Sequence, residues 1–267
     1  GGRASRHTGW DDVPPFDGSA WEAVEAARAP ARPGADAILE GLDGLVPLVG
    51  DRAGGSDPHT TVALARLGGR RFVVVAQDHG PVEPAGYRTA QRGMALAERL
   101  GIPLVTLIDT HGAAVGAAAD DAGQAGEIAR TLRCLLGLAV PTLGVVVGEG
   151  GSGGAIALAA VDLLAVQRTA TFSVIAPEGA AAILHRDPDR AAEVADRLGL
   201  RSADLVRLGI ADLVVDDDPG GTLAVIDRWL ADPGRADPPG RRARWRRVAD
   251  GDEPPHADRP APQIPPP

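Results

Sequence analysis

Val147-Gly148-Glu149-Gly150-Gly151-Ser152-Gly153-Gly154-Ala155 closes the apolar run Thr142–Val147 and leads into the alanine-rich Ala155–Ala160. A short, continuously apolar run reads as a buried strand, and the alanines after it read as a helix. Five glycines around one serine therefore fall at a strand-to-helix junction. Glycine lets the backbone come close to a ligand, and a helix start carries unsatisfied N–H groups that favour negative charge. Two such amides aimed at one point form an oxyanion hole. A turn that only packs helix on sheet needs fewer glycines, so an oxyanion or phosphate site is the stronger reading.

Strands and helices alternate on both sides of that junction. Upstream, Thr61–Leu67 and Arg71–Gln77 are β-rich runs split by Gly68-Gly69, which reads as a hairpin. A helix over Tyr87–Leu100 stops at Gly101 before Pro103, and Leu104–Ile108 follows as a buried strand. Gln124–Leu138 is helical, and the short helices Trp21–Arg28 and Ala35–Leu42 open the chain. Downstream come strands at Leu163–Val166, Thr171–Ile175 and Ala211–Val215. Helices are expected at Pro177–Leu184, from Asp187-Pro188 to Leu198, at Ser202–Leu208 and at Leu223–Leu230. Paired strands precede the helices, which favours a spiral of stacked β-β-α units over a doubly wound sheet.

With 267 residues and 44% hydrophobic content the chain can bury a full core. Residues 21–232 are assigned to one domain, 1–20 to a flexible arm or linker, and 233–267 to a mostly disordered Pro/Arg-rich tail. In that tail Trp245, among arginines, could dock on an acidic partner, but reads more readily as part of a solvated basic turn. A net charge of −9 argues against nucleic acid, which needs a basic face. No apolar stretch reaches the roughly twenty residues that span a bilayer. Gly1-Gly2-Arg3 has neither a signal-peptide core nor an initiator methionine, so a trimmed terminus and a cytoplasmic protein are expected. The single cysteine, Cys134, excludes an internal disulfide and a Cys-based zinc cluster, and reads as a small buried residue. The chain contains no lysine. That removes Schiff-base chemistry, a P-loop lysine and any lysine-tethered cofactor such as biotin.

Five blocks carry a resemblance: Pro84–Arg99, Ile102–Ala113, Gly123–Arg133, Gly148–Ala155 and Ser173–Leu184. Together they resemble the α subunit of the acetyl-CoA carboxylase carboxyltransferase, a member of the crotonase superfamily. The resemblance runs from about Leu48 to Pro219 and includes neither terminal arm. It implies an α/β, crotonase-type (ClpP/crotonase) superhelix. It also implies transfer of a carboxyl group from carboxybiotin, held on a separate biotin carboxyl carrier protein, to an acyl-CoA. Malonyl-CoA for fatty acid biosynthesis, or a related product, would result. A β subunit, usually with a zinc ribbon, would hold the acyl-CoA; the α chain would carry no metal and work in a hetero-oligomer. Backbone amides of Gly153, Gly154 and Ala155 would form the oxyanion hole, with Gly150, Gly151, Ser152, Gly112, Ala113 and His111 shaping the biotin side.

The sequence departs from the family pattern at two loops. His111 stands where the family usually has proline, and Ala114-Val115 replaces a Tyr-Pro pair. Gln77-Asp78-His79-Gly80 stands where a lysine-bearing segment is usual, and the insertion after it is shortened to Pro81-Val82-Glu83. Two other functions compete. Gly150-Gly151-Ser152-Gly153-Gly154 fits the nucleophile elbow of a serine hydrolase, with Ser152 as nucleophile, Asp162 as acid and His185 as base. A non-catalytic subunit that only completes an assembly is the other. Glu149 reads as a partner for an arginine, and Arg88 and Arg92 as one helix face, solvated or phosphate-binding.

Overall fold

The computed structural model describes residues 13–249. Most of the expected N-terminal arm, and the tail from 250 with His256, lie outside the described residues. The chain opens with helices α1 (Ala20–Ala27) and α2 (Ala35–Glu40). Strands β1 (Gly44–Pro47), β2 (Thr60–Leu67), β3 (Arg70–Gln77) and β4 (Pro81–Val82) lead to α3 (Pro84–Leu100). Then come β5 (Leu104–Thr110), β6 (Gly112–Ala113), α4 (Ala117–Asp121) and α5 (Gln124–Gly137). The central unit is β7 (Thr142–Gly151) with α6 (Ser152–Ala159), followed by β8 (Leu163–Gln167) and β9 (Thr171–Ser173). Helices α7 (Pro177–His185), α8 (Ala191–Leu198) and α9 (Ser202–Arg207) precede β10 (Leu213–Val215), α10 (Pro219–Ala231) and α11 (Pro238–Ala249).

The long strands form one sheet in the order β1-β2-β3-β5-β7-β8-β10, with β9 pairing to the far end of β7. From β3 to β10 the neighbours run parallel, while β1, β2 and β3 are antiparallel. The short strands β4 and β6 pair with each other in a second, parallel ladder. Units β3-β4-α3 and β5-β6-α5 thus stack long strand on long strand and short on short, as the β-β-α reading expects. The hairpin is where Gly68 (φ 55°) and Gly69 (φ 75°) place it. Positive φ at both turn positions gives the two-residue type I′ turn that matches strand twist.

Alternation along the strands splits the core between two faces. Val73, Val75, Leu104, Ile108 and Val146 pack under α3, α5 and α6. Phe72, Val74, Val105, Leu107, Val145 and Val147 face the other way, with Ile38 of α2 and Ile226 and Trp229 of α10. Every residue of β5 and β7 is buried, which explains their unbroken apolar runs. Two buried polar side chains of the sheet are paired: Thr106 Oγ1 donates to the Leu158 carbonyl at 2.9 Å, and Gln167 Nε2 to Thr222 Oγ1 at 2.9 Å.

Four expectations are corrected. Residues 238–249 of the tail form α11, a helix held by polar anchors. Buried Arg241 donates to the carbonyls of Leu135, Leu138 and Val140 at the end of α5 and pairs with Asp162 at 2.8 Å. Cations at a helix C-terminus satisfy orphan carbonyls and complement the dipole. Trp245 packs toward the main core, so it is no part of a solvated turn. Cys134 is exposed, because the buried stripe of α5 is centred on Gln124, Thr131 and Leu135. Arg88 and Arg92 are half-buried, and both are engaged within the chain rather than free for phosphate. Arg88 binds Asp51 at 2.6 Å, and Arg92 donates to the carbonyls of Val49 and Gly50.

Asp51 anchors that loop. The amides of Ala53 and Gly55, at 2.7 and 2.8 Å, and then Arg88 lower its pKa to about 2. A depressed carboxylate stabilises the fold above its unfolded value of about 3.9 and stops doing so as pH falls through the folded value. The Tm gap between wild type and Asp51→Asn is therefore expected to be constant near neutrality and to shrink between about pH 4 and pH 2. A gap that is unchanged across that window would contradict this account.

Candidate functional site

Parallel pairing of β5 with β7 brings their C-terminal ends side by side, the usual place for a site in such a sheet. A register shift between Ile108 and Thr110 lets Thr110 pair with Gly150. Thr110 Oγ1 donates to the Gly80 carbonyl at 2.6 Å, and the Gly112 amide donates to that oxygen at 3.0 Å. The turn is thereby folded back, and β6 (Gly112–Ala113) is set against β4 and the start of α6.

The glycines of β7 are explained by what touches them. A Cβ on Gly148 would overlap the Arg32 guanidinium, and one on Gly151 would overlap the His111 carbonyl. A Cβ on Gly154 would stand 2.9 Å from the Ala113 nitrogen, the Gly112 carbonyl carbon and the Tyr87 hydroxyl. Gly153 differs, since its Cβ would meet only Ile128 at 3.6 Å. Strand β7 runs on through Gly151, so the helix starts at Ser152 rather than at Ala155.

That start fixes the amides. The first turn of a helix has no internal acceptors for its N–H groups. Among the described residues, none accepts from Gly153 or Gly154 outside the helix. Ala155, fully buried, sits at the position whose N–H ordinarily closes the first turn. The Gly154 carbonyl accepts from Gln77 Nε2 at 3.0 Å, which holds the peptide from the other side. Ser152 is exposed with φ 54°, an uncommon conformation for a residue with a side chain. His111 is exposed, Gly112 buried and Ala113 half-buried, and their backbone lies close to Gly151 and Gly154.

Sequence reading missed the supports. Tyr87, from α3, is buried beside Gly154, and burial raises its pKa so that the hydroxyl keeps its proton. Gln77 Oε1, Tyr87 Oη, Asp109 Oδ2 and Gln124 Oε1 are buried without a hydrogen-bond partner in this region. Below the glycines, Arg32 binds the fully buried Asp109 at 2.6 Å, and the Glu149 amide donates to the same carboxylate at 3.3 Å. Arg28 links Glu149 at 2.7 Å and Glu178 at 2.5 Å. Burial is the largest single influence on Glu178 and opposes its ionisation, but the Arg28 hydrogen bond, a backbone hydrogen bond and the Arg28 charge together hold the carboxyl below its ordinary range. Both arginines come from the segment around α1, which carries no local sign of a site.

The hydrolase triad is not assembled. Asp162 Oδ2 accepts from the Thr142 amide and hydroxyl, both at 3.0 Å, at the opposite end of β7 from Ser152. Nine steps of strand separate Thr142 from Gly151, which is about 30 Å. Asp162 is also the partner of Arg241. His185 ends α7 with no hydrogen bond to Ser152.

Residues 17–229 match the family described as acetyl co-enzyme A carboxylase carboxyltransferase-like. The chain is 42% identical over 214 residues to the acetyl-coenzyme A carboxylase carboxyl transferase subunit alpha of Zymomonas mobilis, covering 75% of this chain and 68% of that protein. It is 46% identical over 233 residues to the carboxyl transferase subunits beta/alpha of Salinispora arenicola, covering 79% of this chain and 41% of that one. Among solved structures it superposes on transcarboxylase 12S with a TM-score of 0.68 at 21% identity, covering 82% of this chain and 46% of the other. The beta subunit of Pseudomonas aeruginosa geranyl-CoA carboxylase gives a TM-score of 0.67 at 17% identity, covering 84% and 47%. The fold is the crotonase-type superhelix shared with these carboxyltransferases. The chain spans about two thirds of the separate α subunit and under half of the fused and solved chains.

Proposed function

Because the chain belongs to the acetyl-CoA carboxylase carboxyltransferase family, we propose that it is the α component of a biotin-dependent acyl-CoA carboxylase. In this reading it transfers a carboxyl group from carboxybiotin to an acyl-CoA, giving malonyl-CoA or a related product for fatty acid synthesis in the cytoplasm. The observation that carries it is the pair of amides at Gly153 and Gly154 with no acceptor outside the helix, beside a β6 backbone that a Cβ on Gly154 would approach to 2.9 Å. Biotin supplies a ureido oxygen that becomes negative as the carboxyl group leaves. The residues present fit such a group: two donors at a helix start, closed in by β6 and the protonated Tyr87 hydroxyl.

The chain's own part is electrostatic. Gly153 and Gly154 offer N–H groups where the helix dipole favours an anion. Each donor of such a hole is worth about 3 kcal/mol of barrier. Gln77 and Thr110 keep the amides and the β6 loop fixed, so little reorganisation is needed as charge develops.

Without lysine the chain cannot itself carry biotin, so the proposal includes a biotin carboxyl carrier protein and a β component that binds acyl-CoA through its own hole and carries any zinc ribbon. Val174, Ile183 and Leu184 are 69%, 73% and 54% exposed. Val174 follows Ser173, which pairs with Gly151, so a β component docked there would wall the glycine site.

The test mixes chain, β component and carboxylated carrier protein with acyl-CoA and measures carboxylated product, using wild type and Ser152→Gly. Glycine is at ease at φ 54°, where a side chain costs about 1 kcal/mol. Ser152→Gly is therefore expected to raise Tm slightly and to keep transfer. Loss of transfer, together with labelling of Ser152 by a serine-directed phosphonate, would transfer the assignment to a hydrolase.

A further inference from the structure

Two histidines meet beside the glycine site and take no part in the hole itself. The rings of His79 and His111 stand edge to face, 6.1 Å between centroids and 80° between planes. The His111 backbone lies against Gly151, the residue before α6. The pair is therefore anchored, through His111, to a loop whose backbone touches Gly151 and, at Gly112 and Ala113, Gly154.

His79 is fixed from below. Its Nδ1 lies 3.1 Å from an Arg32 nitrogen, and Arg32 is held by the buried Asp109. A guanidinium only donates, so Nδ1 accepts and the ring proton sits on Nε2. Asp109 is 3.5 Å from the same Nδ1, too far to compete with that bond. Nε2–H is the donor left over, on a side chain 43% exposed. The exposed His111 ring has no hydrogen bond among the described residues, so its own nitrogens are also available.

We propose that His79 and His111 form a paired specificity element, preset by Arg32 and Asp109, that grips a carboxylate oxygen of the ligand brought to the glycine amides. The inference deepens the carboxyltransferase reading and rests on it: the group in transit there is itself a carboxyl. The two rings act as one unit, because each limits the orientation of the other.

The experiment uses the complete complex with carboxylated carrier protein as the probe. His79→Phe keeps the ring contact and removes the nitrogens, while His79→Gln keeps an N–H near the Nε2 position. His79→Phe is expected to raise KM for the carboxylated carrier about tenfold with kcat little changed, the scale of one lost hydrogen bond to a charged group. His79→Gln restores most of that loss. The double variant His79→Phe with His111→Phe is no worse than either single one, the non-additivity of a shared unit. Equal losses for His79→Phe and His79→Gln, wild-type KM in both Phe variants, or strictly additive effects overturn the proposal. A wild-type complex that transfers nothing overturns the functional reading itself, whereas an active wild type with indifferent variants overturns only this inference.

Discussion

Gly154→Ala lowers carboxyl transfer by at least about 100-fold, the cost of one misplaced oxyanion donor, while Gly153→Ala stays within about threefold of wild type. The same methyl group is added at adjacent positions of one helix, so propensity does not separate them. Space does. At Gly153 the methyl meets Ile128 at 3.6 Å, ordinary contact. At Gly154 it stands 2.9 Å from two backbone atoms of β6 and from the Tyr87 hydroxyl. Backbone cannot swing aside as a side-chain tip does, so either β6 or the Gly154 amide moves. Overpacking of this kind costs about 1–3 kcal/mol, which the domain survives. A change of 1 Å at a reacting centre costs far more in rate than in stability. The measurement is steady-state transfer by the reconstituted complex, with circular dichroism and Tm to establish folding. A non-catalytic subunit predicts equal turnover for both variants, and that result would remove the hole from Gly154.

Much of this fold is written in local patterns. Strands β5, β7 and β8 stand out as continuous apolar runs because both of their faces are covered, and Gly68-Gly69 marks the hairpin because only positive φ closes it. Helix α3 is bounded by Pro84 at its start and Gly101, at φ 64°, at its end. What escapes has no period to read. Strands β4 and β6 are two residues each and exist only through their pairing. Helix α11 has no apolar stripe; buried Arg241 and Arg244 hold it through carbonyls and through Asp162 and Asp212. The same division applies to the site. The glycine cluster is legible, but the helix begins three residues earlier than expected because serine and glycine are weak helix formers. Arg32, Gln77 and Tyr87 belong to separate elements, and only the order of strands in the sheet brings them to residues 148–154. No spacing in the chain announces such a meeting.

Arg32→Leu is expected to destabilise the protein by about 3–5 kcal/mol, a Tm loss of roughly 10 °C for a domain of this size. The Asp109 side chain has no exposure, its Oδ2 has no hydrogen-bond partner, and Arg32 at 2.6 Å is its closest cation. Removing the guanidinium leaves a buried carboxylate with only the Glu149 amide, at 3.3 Å, and a half-exposed histidine at 3.5 Å. Desolvation then works against the charge with little to oppose it. The double variant Arg32→Leu with Asp109→Asn should regain most of the lost stability, because a neutral amide still accepts the Glu149 N–H and no longer needs a cation. That recovery separates a charge effect from a packing effect: leucine also vacates the space over Gly148 that the guanidinium fills, and packing loss would persist in the double variant. Activity should recover less than stability, since His79 loses the donor that sets its tautomer. Thermal unfolding of the four proteins in the cycle decides the matter, and a double variant no more stable than Arg32→Leu alone would show that the ion pair is not what holds this floor in place.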